Sequence, residues 1–167
     1  MSVCKPIGPL SGIEIKNTGD LGALEDALCL WVSGDIRAAE PHLLALAEVA
    51  MPFAYSDAPR LYRGLVLPHT NQEFVTINRE SNQILTSWSL YPEEVESFMS
   101  HRWEDWIMIS APATDLDIFI NLHAFDESAK PAKKLRDHAE VIVKMPEKMR
   151  IHRSECAFYS GHLLSCP

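Results

Sequence analysis

Apolar residues change their spacing near Pro59, from a helical period before it to strand-like runs after it. Residues 1–18 carry Pro, Gly and Ser without a clear period and read as an irregular lead-in. Asp20 then stands as an N-cap, and Leu21, Leu24, Leu28, Trp31 and Val32 follow at helical steps. That spacing predicts an amphipathic helix over 21–33, broken by Ser33-Gly34-Asp35. A second helix, Leu/Ala-rich and largely buried, is predicted from Ala38 or Pro41 to Met51. Pro41 suits its first turn and Pro52 its stop.

Beyond Pro59 the runs are short and strand-like: Arg60–Leu67, Glu73–Ile77 and Ile84–Leu90. Pro92-Glu93-Glu94 opens a helix in which Val95, Phe98 and Met99 share an apolar face, the acidic pair suiting the dipole at its first turn. Trp106–Ser110 and Leu116–Ile120 are the next strands; Leu116, Ile118 and Ile120 alternate with polar Asp117 and Asn121. From His123 to His138 the chain turns polar, with a basic cluster at Lys130, Lys133, Lys134 and Arg136, and reads as a loop or short exposed helix. Glu140–Met145 returns to strand, Pro146-Glu147-Lys148 reads as a hairpin turn, and Met149–His152 and Cys156–Tyr159 complete the sheet. The expected plan is α+β, one domain over 1–167, with a mainly helical part (1–58) packed on a β-rich core (59–162).

Composition adds limits. The 167 residues, 47% apolar and 23% charged, can bury a proper core. A net charge of −8 argues against a nucleic-acid backbone as the default partner. No stretch approaches the roughly 20 apolar residues of a membrane span, and the first residues lack a signal-peptide core, so a cytoplasmic location is expected. Cysteines at 4, 29, 156 and 166 have no CxxC spacing and read as reduced thiols; Cys156 with His152 or His162 reads as scattered residues and no metal site is expected.

Three polar signals interrupt the apolar runs: Tyr62-Arg63-Gly64, Thr86-Ser87-Trp88-Ser89, and Glu140 heading Glu140-Val141-Ile142-Val143. Burying strand starts around such groups is costly unless their polar heads converge on a cleft. Arg63 offers a fork of donors for a phosphate or pyrophosphate. Ser87 and Ser89 share a strand face and can orient a carboxylate or bond a ligand. Glu140 can stabilise positive charge or accept from a sugar hydroxyl.

In this order and with their apolar frames, these segments resemble the ADP-ribosyltransferase family of the Arg–Ser–Glu type, as found in toxins and phages, over roughly residues 60–160. Leu61-Tyr62-Arg63-Gly64-Leu65 is similar to the family's first core strand. Thr86–Leu90 resembles its Ser-Thr-Ser strand and Pro92–Phe98 the helix that follows. Glu140–Val143, then Met145-Pro146 and Met149-Arg150-Ile151, resembles its Glu strand, Pro-containing turn and next strand. The resemblance implies a two-sheet, mixed but mainly antiparallel core that binds NAD as substrate, with Arg63, Gly64, Ser87, Ser89 and Glu140 around the dinucleotide. Arg63 would hold the pyrophosphate or the nicotinamide-side ribose. Ser87 would hold the catalytic Glu140, and Ser89 would support the strand or the nicotinamide pocket. The implied activity is transfer of ADP-ribose to a macromolecular acceptor, a protein first and a nucleic acid still open. The alternatives are an NAD glycohydrolase and a non-catalytic binding or structural protein on the same fold. By analogy with effectors and phage-encoded modifiers, the site of action would be a host cytoplasm.

Two departures stand out. Trp88 replaces the usual small middle residue, pointing away from the Ser87 face. His138 stands two residues before Glu140, where members that modify arginine carry Glu and others carry Gln; as a fourth catalytic candidate it is a base or orients the acceptor. The basic segment 126–137 takes the place of the target-recognition loop. Tyr62, Trp31, Trp103, Trp106, Met145 and Met149 read as packing residues.

Overall fold

A computed structural model describes residues 18–67, 71–80, 82–124 and 139–160. His138, the Lys130–Arg136 cluster, His162, Cys4 and Cys166 lie outside the described residues.

The first helix, α1, spans Thr18–Val32, so Asp20 sits in its first turn rather than at its cap. Leu21, Leu24, Leu28 and Trp31 form its buried stripe. Gly34, at φ +95°, closes it: Gly34 N–H bonds the Trp31 carbonyl and Asp35 N–H bonds the Leu30 carbonyl, a Schellman ending that needs a left-handed residue. The helix therefore stops just past Trp31 and Val32, the two residues it presents to the site.

The second helical stretch is two pieces, α2 (Ile36–Ala45) and α3 (Ala47–Ala50), followed by a 3-10 turn at Met51–Phe53. Asp35 caps α2, accepting from the Ala38 amide at 3.4 Å. Pro41 lies inside α2 instead of in its first turn. It costs the helix one backbone bond, and the helix ends within four residues.

Among the described residues eight strands follow: β1 (Arg60–Leu65), β2 (Phe74–Asn78), β3 (Leu85–Ser89), β4 (Trp106–Pro112), β5 (Asp117–Asn121), β6 (Glu140–Lys144), β7 (Lys148–His152) and β8 (Cys156–Tyr159). A fourth helix, α4 (Pro92–Ser100), joins β3 to β4. Six strands form one sheet in the order β5-β6-β3-β1-β4-β8; β2 and β7 pair separately. Every pairing among the described strands is antiparallel, so the expected mixed character is absent there. Residues 146–148 make no β6–β7 hairpin, because β7 leaves the large sheet to pair with β2. Strict alternation also fails in β5, where the register shifts between Ile118 and Ile120; Phe119 is buried and Asn121, expected outside, is 0% exposed.

Strand alternation divides the core. One face of the six-stranded sheet presents Leu85 and Ile142 to α1, α2 and Phe53. Farther along that face Met108 and Trp106 pack under Val95 and Met99 of α4. The opposite face carries Leu61, Trp88, Ile107, Ile109, Val141 and Val143, covered by Ile151, Ile77 and Met149 of the two-stranded sheet. The result is α+β, with helices on one face and a small sheet on the other. No helix among the described residues is long and apolar enough to cross a membrane.

Candidate functional site

Between α1 and α4, on the helical face of the sheet, lies a cleft of about 440 Å3 floored by β1, β3 and β6. Val32, Tyr62, Gly64, Val95, Phe98 and Met99 supply its apolar wall; Arg63, Ser87, Ser89, Glu94 and Glu140 supply its polar groups. The three polar sequence signals therefore meet in one cavity.

Pairing register explains how Ser87 reaches Glu140. Ser89 stands opposite Glu140 and Ser87 opposite Ile142, so Ser87 is the diagonal neighbour of Glu140 on the same face. The Ser87 hydroxyl donates to Glu140 Oε1 in a short contact. The same oxygen accepts a second hydrogen bond, from Trp31 Nε1 at 2.6 Å. Among the described residues nothing bonds Oε2. Ser89 acts on the backbone instead. Its hydroxyl donates to the Tyr91 carbonyl at 3.0 Å and accepts from the Tyr91 amide at 3.1 Å, fixing the turn from β3 into α4.

Arg63 arrives by another route. Alternation puts it on the face of Leu61, away from the cleft. However, β1 and β3 share a single register pair, Tyr62 with Ser89, whereas β1 and β4 share six. Where β1 and β3 part, Arg63 reaches through: its Nη1 donates to the Ser87 carbonyl at 2.8 Å. That carbonyl loses its strand partner and gains a charged donor instead. Arg63 Nε is sealed from solvent and has no partner among the described residues. Burial pushes the guanidinium below its ordinary value, while the charges of Glu80 and Glu140 push it back up. A guanidinium stays protonated regardless, so Arg63 brings a fixed positive charge to the cleft wall while its sealed Nε is an unsatisfied donor costing about 1–3 kcal/mol.

Gly64 is a matter of space. A Cβ there would lie 2.3 Å from Met99 Cγ, so glycine lets α4 press against β1 and form the cleft wall. Phe98, expected to be buried, is 52% exposed over the cleft, and Trp103, expected to pack, is 41% exposed. Trp88 does point away, 2% exposed, its Nε1 donating to Thr86 Oγ1 at 3.2 Å.

Sequence reasoning missed two contributors. Trp31 is indistinguishable in sequence from its apolar neighbours on α1, since only long-range placement gives its indole a partner. Glu40 is buried in α2 and accepts from the Ile84 amide at 3.1 Å and the Leu85 amide at 2.9 Å, pinning the start of β3. A carboxylate three residues before buried Leu43, on the same helical stripe, was the signal that could have found it.

Elsewhere the Cys156 thiol donates to the His152 carbonyl at 3.7 Å, and burial, followed by the charge of Glu155, pushes its pKa up. No group of three metal-ligating side chains occurs among the described residues. The cleft thus offers one carboxylate oxygen held by two donors, a second left open, a largely buried cation, and aromatic walls. Such a set suits a ligand with an anionic part and a hydroxyl-bearing or electron-poor centre. Comparison of the chain with protein-family models, curated proteins and solved structures finds no match.

Proposed function

We propose that this cleft binds NAD and breaks its nicotinamide–ribose bond, passing ADP-ribose to a macromolecular acceptor on an ADP-ribosyltransferase-like fold. The observation carrying the reading is that Ser87 holds Glu140 while Arg63 enters the same cleft from a third strand. The Arg63 charge at the cleft wall fits the anionic part of the dinucleotide, and Tyr62 and Phe98 fit a flat ring.

In that reaction the C1′–N bond breaks and its electron pair neutralises the pyridinium nitrogen. Nicotinamide leaves as a neutral base and no general acid is needed. What remains for the protein is to stabilise the positive charge growing on the ribose, which a fixed carboxylate does well in a low-dielectric cleft. Glu140 takes that role and accepts from a ribose hydroxyl. Ser87 holds Glu140, and Arg63 anchors the pyrophosphate. The acceptor's nucleophile then bonds C1′ and gives up its proton. His138 and the segment before it are assigned to that second half on sequence alone.

Incubation with NAD labelled in its adenylate half and a cell lysate tests the proposal. Label is expected on a macromolecule, and none when Glu140→Gln replaces the wild type. Label released only as free ADP-ribose would make the protein a glycohydrolase, and NAD recovered intact would overturn the catalytic reading.

A further inference from the structure

We infer that Trp31, a residue of the first helix, is a positioning residue for Glu140, so that α1 is part of the reaction site as well as of the core. The inference rests on Glu140 being the reacting carboxylate.

A glutamate has three torsions to its carboxylate, and a single donor leaves the group free to swing about that contact. Here two donors from separate elements meet on one atom. The Ser87 hydroxyl comes from the strand beside Glu140, and Trp31 Nε1, at 2.6 Å, comes from α1. Their convergence on Oε1 sets the carboxylate plane and leaves Oε2 for the cleft. Trp31 can hold this position because it is itself immobile: it is 3% exposed, packed among Leu28, Phe53 and neighbouring core residues, and followed by the Gly34 ending that terminates α1. A buried indole needs a partner for its N–H, and this carboxylate oxygen supplies it. The contact spans 109 residues of sequence, so a shift of α1 moves the carboxylate with it.

Two measurements decide the matter. In 15N-labelled protein, the Trp31 indole resonance, assigned by its through-space contacts, should move upfield in Glu140→Ala, while that of Trp106, in another core, stays in place. Kinetically, Trp31→Phe keeps an aromatic side chain in the core and removes the N–H together with part of the indole's volume. It should lower kcat for nicotinamide release by about 10- to 100-fold, the scale of a small misplacement of a reacting group, with a smaller change in KM for NAD because the Arg63 anchor is untouched. Trp31→His, which restores a ring N–H, should recover part of the loss. An indole signal indifferent to Glu140, a Phe variant with undiminished kcat, or a defect confined to KM would each overturn the inference. A wild-type protein that turns over no NAD would sink the transferase reading instead, and the indole signal would still decide the clamp.

Discussion

Alternation along β1 assigns Arg63 to the face of Leu61, yet its guanidinium lies in the cleft because β1 and β3 separate after one pair. That departure explains why an arginine is needed. A long, planar donor set can cross the gap, satisfy the Ser87 carbonyl with Nη1, and still bring its charge to the cleft wall. Arg63→Lys keeps the charge and loses the fork. One charge-assisted hydrogen bond is worth about 1.5–3 kcal/mol, so NAD affinity, measured by calorimetry in a Glu140→Gln background, should weaken about 10- to 100-fold. Equal affinity in the Lys variant would remove Arg63 from the ligand site. Ser87 and Glu140 were legible from sequence because both lie on strands whose period of two fixes their face. Arg63 was legible as a residue but not as a geometry, since strand separation is a property of two distant segments.

The elements show the same division between local and distant information. The Pro92 start of α4, the Gly34 stop of α1 and most strand cores follow from caps, breakers and apolar runs within a few residues. The partner of β7 does not: Pro146 marks a turn, but whether the next strand returns to β6 or pairs with β2 depends on which apolar face needs cover. Trp88, Val141 and Val143 supply that face, and Ile151 and Ile77 cover it. Contact between α4 and β1 gives an element-level test. Gly64→Ala would place Cβ 2.3 Å from Met99 Cγ and 2.7 Å from its sulfur, so Met99 or the helix must move. Overpacking of this kind costs about 1–3 kcal/mol, read as a lower urea midpoint, with weaker NAD binding because α4 carries the cleft residues Val95 and Phe98. Adding Met99→Ala should cost less in the Gly64→Ala background than in the wild type. Strictly additive costs would mean that the two residues do not press on each other.

At the scale of the whole molecule, the six-stranded sheet is covered on one face by helices and on the other by the β2–β7 pair, and the cleft opens between two helical packing units. Two half-buried phenols give a test at this scale: Tyr55, packed against the helical core, and Tyr159, stacked on Trp106 at 4.0 Å. Burial pushes both pKa values above the ordinary 10.0, with smaller upward contributions from Asp57 and Glu96 respectively. The folded chain keeps these protons after the unfolded chain has released them. Their contribution to stability is thus whole below pH 10.0 and is lost as pH rises through the native values. The urea midpoint should fall above that pH, and less steeply in a Tyr55→Phe/Tyr159→Phe double variant; an identical fall in that variant would clear both tyrosines.

Release of free nicotinamide from NAD, followed for the wild type and for Glu140→Gln at matched folded concentration, tests most directly whether the cleft is a glycosidic-bond-breaking site. The wild type is expected to release nicotinamide. The Gln variant keeps the size and the Ser87 and Trp31 contacts but removes the charge, and should be slower by about 100-fold or more. Equal rates in the two proteins, or no release from the wild type in the presence of lysate acceptors, would contradict it.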